Sequence, residues 1–140
     1  MTESEVVAEA PDVSELLREG EALSRGRKYG EALDRFNRAI AMDPSSSMAW
    51  YNRGVLLEGQ RDAKGAKQSF TICLDLEPDH APATANLAVL LERMGDAEGA
   101  GAMATRALTH YPDHPELLDI RRRCQTGQTV EPDLPVQRPT

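Results

Sequence analysis

Apolar residues recur along this chain at helical spacing, in paired stripes. Within residues 47 to 59, Trp50, Gly54 and Leu57 share one helix face at steps of four and three, and Ala66, Phe70 and Cys73 share another in the next segment. The two stripes predict a helical hairpin. Gly54 and Ala66 let its backbones approach closely, and Trp50 and Phe70 fill the space beside them. Pro78 ends the second helix, because proline lacks the N–H that a continuing helix must donate. Asp79 is the expected cap of the following helix, with Pro82 in its first turn, where a missing N–H costs little.

The hairpin recurs. Pro44, Pro78 and Pro112 lie 34 residues apart, each ahead of a polar residue, Ser45, Asp79 or Asp113. The same step joins Ala32, Ala66 and Ala100; Leu23, Leu57 and Leu91; Ala39, Cys73 and Ala107; and, more loosely, Phe36, Phe70 and Ala104. A 34-residue period that keeps large, small and helix-breaking residues in one frame marks stacked helix pairs. In the middle copy Trp50, Gly54, Leu57, Ala66, Phe70 and Pro78 stand at the spacings of the tetratricopeptide pattern, and over residues 13–114 the chain resembles that family. The third copy departs most, with Thr84 for Trp50, Ala88 for Gly54 and Ala104 for Phe70, so its packing is expected to be the loosest.

The expected fold is therefore all-α: a right-handed superhelical solenoid of three tetratricopeptide helix-turn-helix repeats, 13–46, 47–80 and 81–114, plus a C-terminal capping helix at 115–125. Asp12 and Glu15 have capping-box spacing at the start of the first helix. Leu117, Ile120 and Cys124 continue one apolar stripe, which fits a helix that covers the last hairpin and turns a polar face outward. Residues 1–12, with Glu3, Glu5, Glu9 and Asp12, are expected to form an acidic disordered tail. Residues 126–140, with Pro132, Pro135 and Pro139, are expected to form a second one.

Composition supports helices: the chain is 40% hydrophobic but only 4% aromatic, which favours Ala- and Leu-rich helices over strands. The net charge of -7 repels phosphate backbones and anionic headgroups, so neither nucleic acid nor a membrane is an expected partner. The start of the chain lacks the basic and apolar segments of a secretory signal, and no stretch has the length of a membrane span, so a cytoplasmic address is expected. Cys73 and Cys124 form neither a disulfide framework nor a metal-ligand pair, which suits a reducing compartment.

Candidate chemistry is sparse. His110 and His114 are four apart, but Pro112 interrupts any helix between them, and His80 and His114 share one repeat slot; all three are expected as solvent-exposed loop residues. Cys73, in a column of alanines, is expected to be small and buried. The run Arg121, Arg122 and Arg123 would complement the dipole of the capping helix and solvate it. Gly95, Gly99 and Gly101 lack the strand and lysine of a phosphate loop and are expected to soften the third hairpin. No metal, cofactor or enzymatic activity is expected.

The resemblance implies that the first helix of each pair lines the inner surface of the solenoid. The slots facing it hold Leu17, Arg18, Glu21 and Ser24 in the first copy. They hold Met48, Tyr51, Asn52, Val55 and Glu58 in the second, and Ala85, Asn86, Val89 and Glu92 in the third. The candidate peptide-binding groove is Leu17, Arg18, Glu21, Met48, Tyr51, Asn52, Val55, Asn86 and Val89. Asn52 and Asn86 each offer a donor and an acceptor that match a peptide backbone unit, or that link neighbouring helices instead. Tyr29 falls in the turn between helices, away from this strip.

Some members of the family bind the acidic C-terminal ends of cytosolic heat-shock chaperones through a lysine, asparagine and arginine clamp. Here only Asn52 matches, since Leu17, Glu21, Pro82 and Asn86 stand at the other positions; a chaperone carboxylate terminus is not the expected ligand. The expected function is protein–protein interaction, as an adaptor or assembly scaffold that holds a peptide segment of a partner. The alternative is a structural subunit that self-associates within a larger complex, through open repeat ends or a tail laid in a neighbour's groove.

Overall fold

The computed structural model describes residues 10–127. Over that span the chain is built of α1 (Val13–Arg25), α2 (Tyr29–Met42), α3 (Ser47–Gly59), α4 (Ala63–Leu76), α5 (Ala81–Arg93), α6 (Ala97–Leu108) and α7 (Pro115–Thr126), with no strand among the described residues. Helices pair in sequence as α1/α2, α3/α4 and α5/α6, and the pairs stack as a helical-repeat solenoid with α7 lying against α5 and α6. Most of each expected tail, residues 1–9 and 128–140, lies outside the described residues.

One slot of the period starts every first helix. Asp12, Ser46, His80 and His114, spaced by 34, are the N-caps of α1, α3, α5 and α7. Each accepts a hydrogen bond from the N–H three residues on: Glu15 to Asp12 Oδ1 at 2.8 Å, Ala49 to Ser46 Oγ at 3.2 Å, Ala83 to His80 Nδ1 at 3.1 Å, and Leu117 to His114 Nδ1 at 3.4 Å. The cap of α5 is thus His80 and not the adjacent Asp79, because an imidazole lone pair reaches the same N–H that a hydroxyl or carboxylate reaches. Nor is His80 a solvent-exposed loop residue. Its side chain is 10% exposed, and its ring packs on Tyr51 with centroids 4.7 Å apart. Of the three histidines only His110 is exposed.

The turns inside the hairpins repeat as well. Arg27, Arg61 and Gly95, again 34 apart, take φ of 61°, 65° and 87°, the left-handed region. Gly95 therefore serves a turn that needs positive φ, where the two arginines bear a Cβ penalty, and does not loosen its hairpin. Asp62 and Asp96 then cap α4 and α6 by accepting from Gly65 and Gly99 N–H at 3.0 and 2.8 Å.

Where paired helices cross, a small residue on one faces a large one on the other. A Cβ built on Gly54 would lie 2.6 Å from Phe70 Cε1, and Gly20 meets Phe36 in the same way. In the third pair both partners change together, to Ala88 and Ala104, and both are fully buried. The third hairpin is thus closed by two alanines where the others use glycine and phenylalanine. Trp50 sits beside the crossing, half-buried. Its Nε1 donates to the Pro44 carbonyl at 2.9 Å, and the Arg53 guanidinium lies over its ring at 5.9 Å. Arg53 also donates to Asn37 Oδ1 at 2.9 Å and to the buried Ser69 Oγ at 2.7 Å, so one side chain ties α2, α3 and α4 together.

Helix α7 covers the last pair with Leu117 and Ile120, both essentially buried. Gly101 meets Cys124 there, so that glycine is the seat of the terminal helix on α6. Arg123 makes two hydrogen bonds to Glu92, at 2.9 and 2.7 Å, a specific clamp between α7 and α5 where dipole complementation alone was expected.

The crossing of α3 and α4 predicts a coupled mutational response. Gly54→Ala should destabilise by about 1–3 kcal/mol through overpacking against Phe70, and Phe70→Ala by about 3–5 kcal/mol through the cavity it leaves. The double variant, which copies the third pair, should cost less than the sum by about 1–2 kcal/mol in chemical denaturation. Strict additivity would show that the two residues do not meet as described.

Candidate peptide-binding site

The candidate groove residues do not form one open strip. Leu17 is 9% exposed and belongs to the apolar cluster with Leu16, Phe36 and Leu56, so it presents core and not groove. Its helix period placed it correctly on α1, but the stacking of α3 against α1 covers that edge. Arg18 and Met48 are exposed, and Val89 is half-buried against the main core. Tyr51, Asn52, Val55 and Glu21 come together between α1 and α3, whereas Asn86 is directed at Tyr51.

Both asparagines are occupied by the fold. Asn52 Nδ2 donates to Glu21 Oε1 at 3.1 Å, and Asn86 Nδ2 donates to Tyr51 Oη at 3.1 Å. Each therefore links a first helix to the preceding one, and the paired amides expected for a bound peptide backbone are instead inter-repeat ties. Tyr51 is further packed against Phe70, with centroids 5.8 Å apart, and burial raises its phenol pKa above the usual value.

The successive interfaces between first helices close to different degrees. Between α5 and α7 the slot is filled by the double hydrogen bond of Arg123 and Glu92. Between α3 and α5 it holds Tyr51 with Asn86, and Arg93 stands 3.9 Å from Glu58. The Glu58 carboxyl is pushed up in pKa chiefly by burial, with Arg93 opposing. Between α1 and α3 the equivalent positions carry smaller or uncharged residues. Ser24 stands 34 before Glu58 and 68 before Glu92, and Val55 stands 68 before Arg123.

That substitution leaves a cleft of about 270 Å³ lined by Glu21, Ser24, Arg25, Phe36, Tyr51, Asn52, Val55 and Leu56. A second cleft of about 370 Å³ shares Ser24, Val55 and Leu56 and adds Tyr29, Gly59 and Gln60. Tyr29 is thus a wall of the accessible surface and not remote from it. Phe36 and Leu56 supply an apolar lining, Val55 is 42% exposed beside them, and Glu21 and Arg25 bring one charge of each sign. A single large aliphatic or aromatic side chain fits such a space. Arg25, Leu56 and Tyr29 were not assigned to the inner face, whereas Ser24 was placed on it, in the slot of Glu58 and Glu92, without being taken into the candidate groove.

Among the described residues, no cluster of three or more histidine, cysteine or acidic side chains is placed to hold a metal ion. Cys73 is fully buried, and burial pushes its thiol up to about 11, so it is protonated and unreactive at neutral pH. No helix among the described residues is long and apolar enough to cross a membrane.

Helix pairs repeating at 34 residues, with a first-helix face that carries a cleft, define a helical-repeat protein. Two tetratricopeptide repeat profiles match, one over residues 17–70 and the other over residues 57–124, and the chain belongs to the tetratricopeptide repeat family. No curated protein sequence matches it. Among solved structures it is similar to the Arabidopsis OM64 TPR domain, at TM-score 0.73 and 17% identity over 81% of this chain and 94% of that one. It is also similar to the first TPR of Spaghetti (RPAP3) bound to the HSP90 peptide SRMEEVD, at TM-score 0.76 and 18% identity over 86% and 95%. The crystal structure of MamA matches at TM-score 0.74 and 17% identity over 82% and 67%. At these identities the likeness establishes the shared fold.

The inter-repeat ties should be visible in stability. Replacing both Asn52 and Asn86 by Ala should lower unfolding free energy by about 1–2 kcal/mol, since each loses one partly exposed hydrogen bond between repeats. Urea denaturation followed by circular dichroism checks this, and an unchanged midpoint would show the two amides to be free of the fold.

Proposed function

We propose that this chain is a protein–protein interaction module, an adaptor or assembly scaffold, that holds a peptide segment of a partner in the cleft between α1 and α3. The observation that carries the reading is the opening itself. All three first-helix interfaces are spanned by side-chain pairs, and beside the Asn52–Glu21 bond the α1/α3 interface keeps a cleft with Phe36, Val55 and Leu56 in its lining. Tetratricopeptide families are in general interaction modules without catalysis, and catalysis is no part of this proposal. The family neighbour with a bound peptide supports a peptide ligand in kind.

The ligand we infer differs from a carboxylate terminus held by a cationic clamp, because Leu17, Glu21, Pro82 and Asn86 supply no cation at the clamp positions. It is an internal stretch that places one large apolar side chain against Phe36 and Leu56, with an acidic neighbour near Arg25. The acidic balance of the chain disfavours nucleic acid and membrane surfaces as main partners, and a cytoplasmic setting goes with the proposal. Self-association by stacking of repeat ends is less favoured. Helices α1 and α2 carry an exposed ion-pair network, Arg35 with Glu19 at 3.3 Å and Arg35 with Asp34 at 2.9 Å, and α7 covers the other end.

Selection of displayed random peptides on the full-length chain tests the reading. Enriched peptides should share a large apolar residue, and Val55→Glu should weaken them by about 10- to 100-fold, as burying a charge in an apolar slot requires. Lys67→Glu on the exposed side of α4 should leave them unchanged. Peptides that tolerate Val55→Glu but lose affinity with Lys67→Glu would move the site to the outer surface.

A further inference from the structure

The caps of the first helices share a position but not a chemistry. Asp12 and Ser46 cap α1 and α3 with a carboxylate and a hydroxyl, whereas His80 caps α5 with a ring nitrogen. Carboxylate and hydroxyl oxygens keep accepting from an N–H in mild acid, but an imidazole nitrogen accepts only while it carries no proton. Histidine is also the side chain whose ordinary change of charge falls between about pH 5 and 8. His114 repeats the arrangement at α7 with a longer bond, 3.4 Å.

The surroundings of His80 give each ring nitrogen its own partner. Nδ1 accepts from the Ala83 N–H at 3.1 Å, so the hydrogen of the neutral ring is on Nε2, which stands 3.9 Å from Glu77 Oε2. The charged and titratable groups around the ring are Glu77 and Asp79 on its own turn, Tyr51 on α3, Arg106 on α6 and His110 just beyond α6. Arg106 Nη2 donates to the Pro78 carbonyl at 2.9 Å and so fastens α6 to the same turn. The helix turn that His80 caps is itself packed. Ala83 and Thr84 are both buried, and Thr84 Oγ1 donates to the Ala81 carbonyl at 2.6 Å.

A second proton, on Nδ1, turns the acceptor into a donor. Two donors then face each other at the cap, and a positive charge stands at the positive end of the α5 dipole. Glu77, on the Nε2 side, offers the imidazolium a carboxylate. We propose that His80 is a proton-operated latch on the N-terminus of α5. Neutral, it caps the helix; protonated, it releases the Ala83 N–H and pairs with Glu77, and the first turn of α5 loosens where the second and third helix pairs join. The starts of α1 and α3 carry no such latch, so mild acid acts on the later joint and spares the earlier ones.

Amide NMR of the full chain, recorded together with the carbon-bound ring protons of His80 from about pH 8 to about pH 5, tests the latch. The Ala83 amide should shift with the same midpoint as the His80 ring. Its protection against hydrogen exchange should fall about 5- to 10-fold, the factor that a lost cap represents, while Glu15 and Ala49 keep theirs. His80→Asn, which caps without taking up a proton, should hold the Ala83 amide unchanged across the range, and His110→Gln should respond as the wild type does. His80→Ser, which copies Ser46, replaces His80→Asn if that variant folds poorly. A His80 ring that titrates without moving Ala83 overturns the proposal. So does a ring that stays neutral down to about pH 5, or an Ala83 amide that titrates equally in the capping variant.

Discussion

The close crossing of the two helices in each pair is the constraint on which everything else hangs. Phe36 and Phe70 can lie flat across their partner helices because Gly20 and Gly54 have no Cβ. The small separation that results fixes where the next pair must stack. Ala32, Ala66 and Ala100, all fully buried, keep the same crossing narrow from the other side. The third pair makes its crossing with Ala88 and Ala104, so a Cβ is accommodated on the first helix where no aromatic ring faces it.

Stacking then brings first helices side by side, and the residues in their shared slots decide which interfaces stay open. Side chains 31 and 35 residues apart meet across them: Glu21 with Asn52 and Glu92 with Arg123 at the first offset, Tyr51 with Asn86 and Glu58 with Arg93 at the second. The pattern grows stronger toward α7, where a charged pair makes two hydrogen bonds. Between α1 and α3 the tie is the Asn52–Glu21 bond, and Ser24 takes the slot of the later glutamates.

Much of this was legible in the chain, because the residues that carry it are chemically unambiguous. Prolines at 44, 78 and 112 and the glycine, alanine and phenylalanine columns admit few readings, so the helix pairs and the terminal helix followed from spacing. The N-cap slot was harder to read. His80 and His114 share it with Asp12 and Ser46, but histidine is seldom the side chain that caps a helix, and Asp79 next door is a better capper by type. The inner face was read only in outline. Helical period places Asn52 and Asn86 on it correctly, yet it says nothing of the partner one repeat away that occupies each amide. Leu17 shows the same limit, since a face that points inward on an isolated helix is covered once α3 stacks on it.

The central proposal is that a peptide binds the first-helix face at the α1/α3 cleft. A structure of the full chain with a selected peptide, by crystallography or intermolecular NMR contacts, tests it most directly. The account predicts a peptide side chain touching Phe36, Val55 and Leu56, with the Asn86–Tyr51 and Arg123–Glu92 bonds unbroken. A peptide lying between α3 and α5 with Asn86 released from Tyr51, or one bound along the outer faces of α4 and α6, would contradict it.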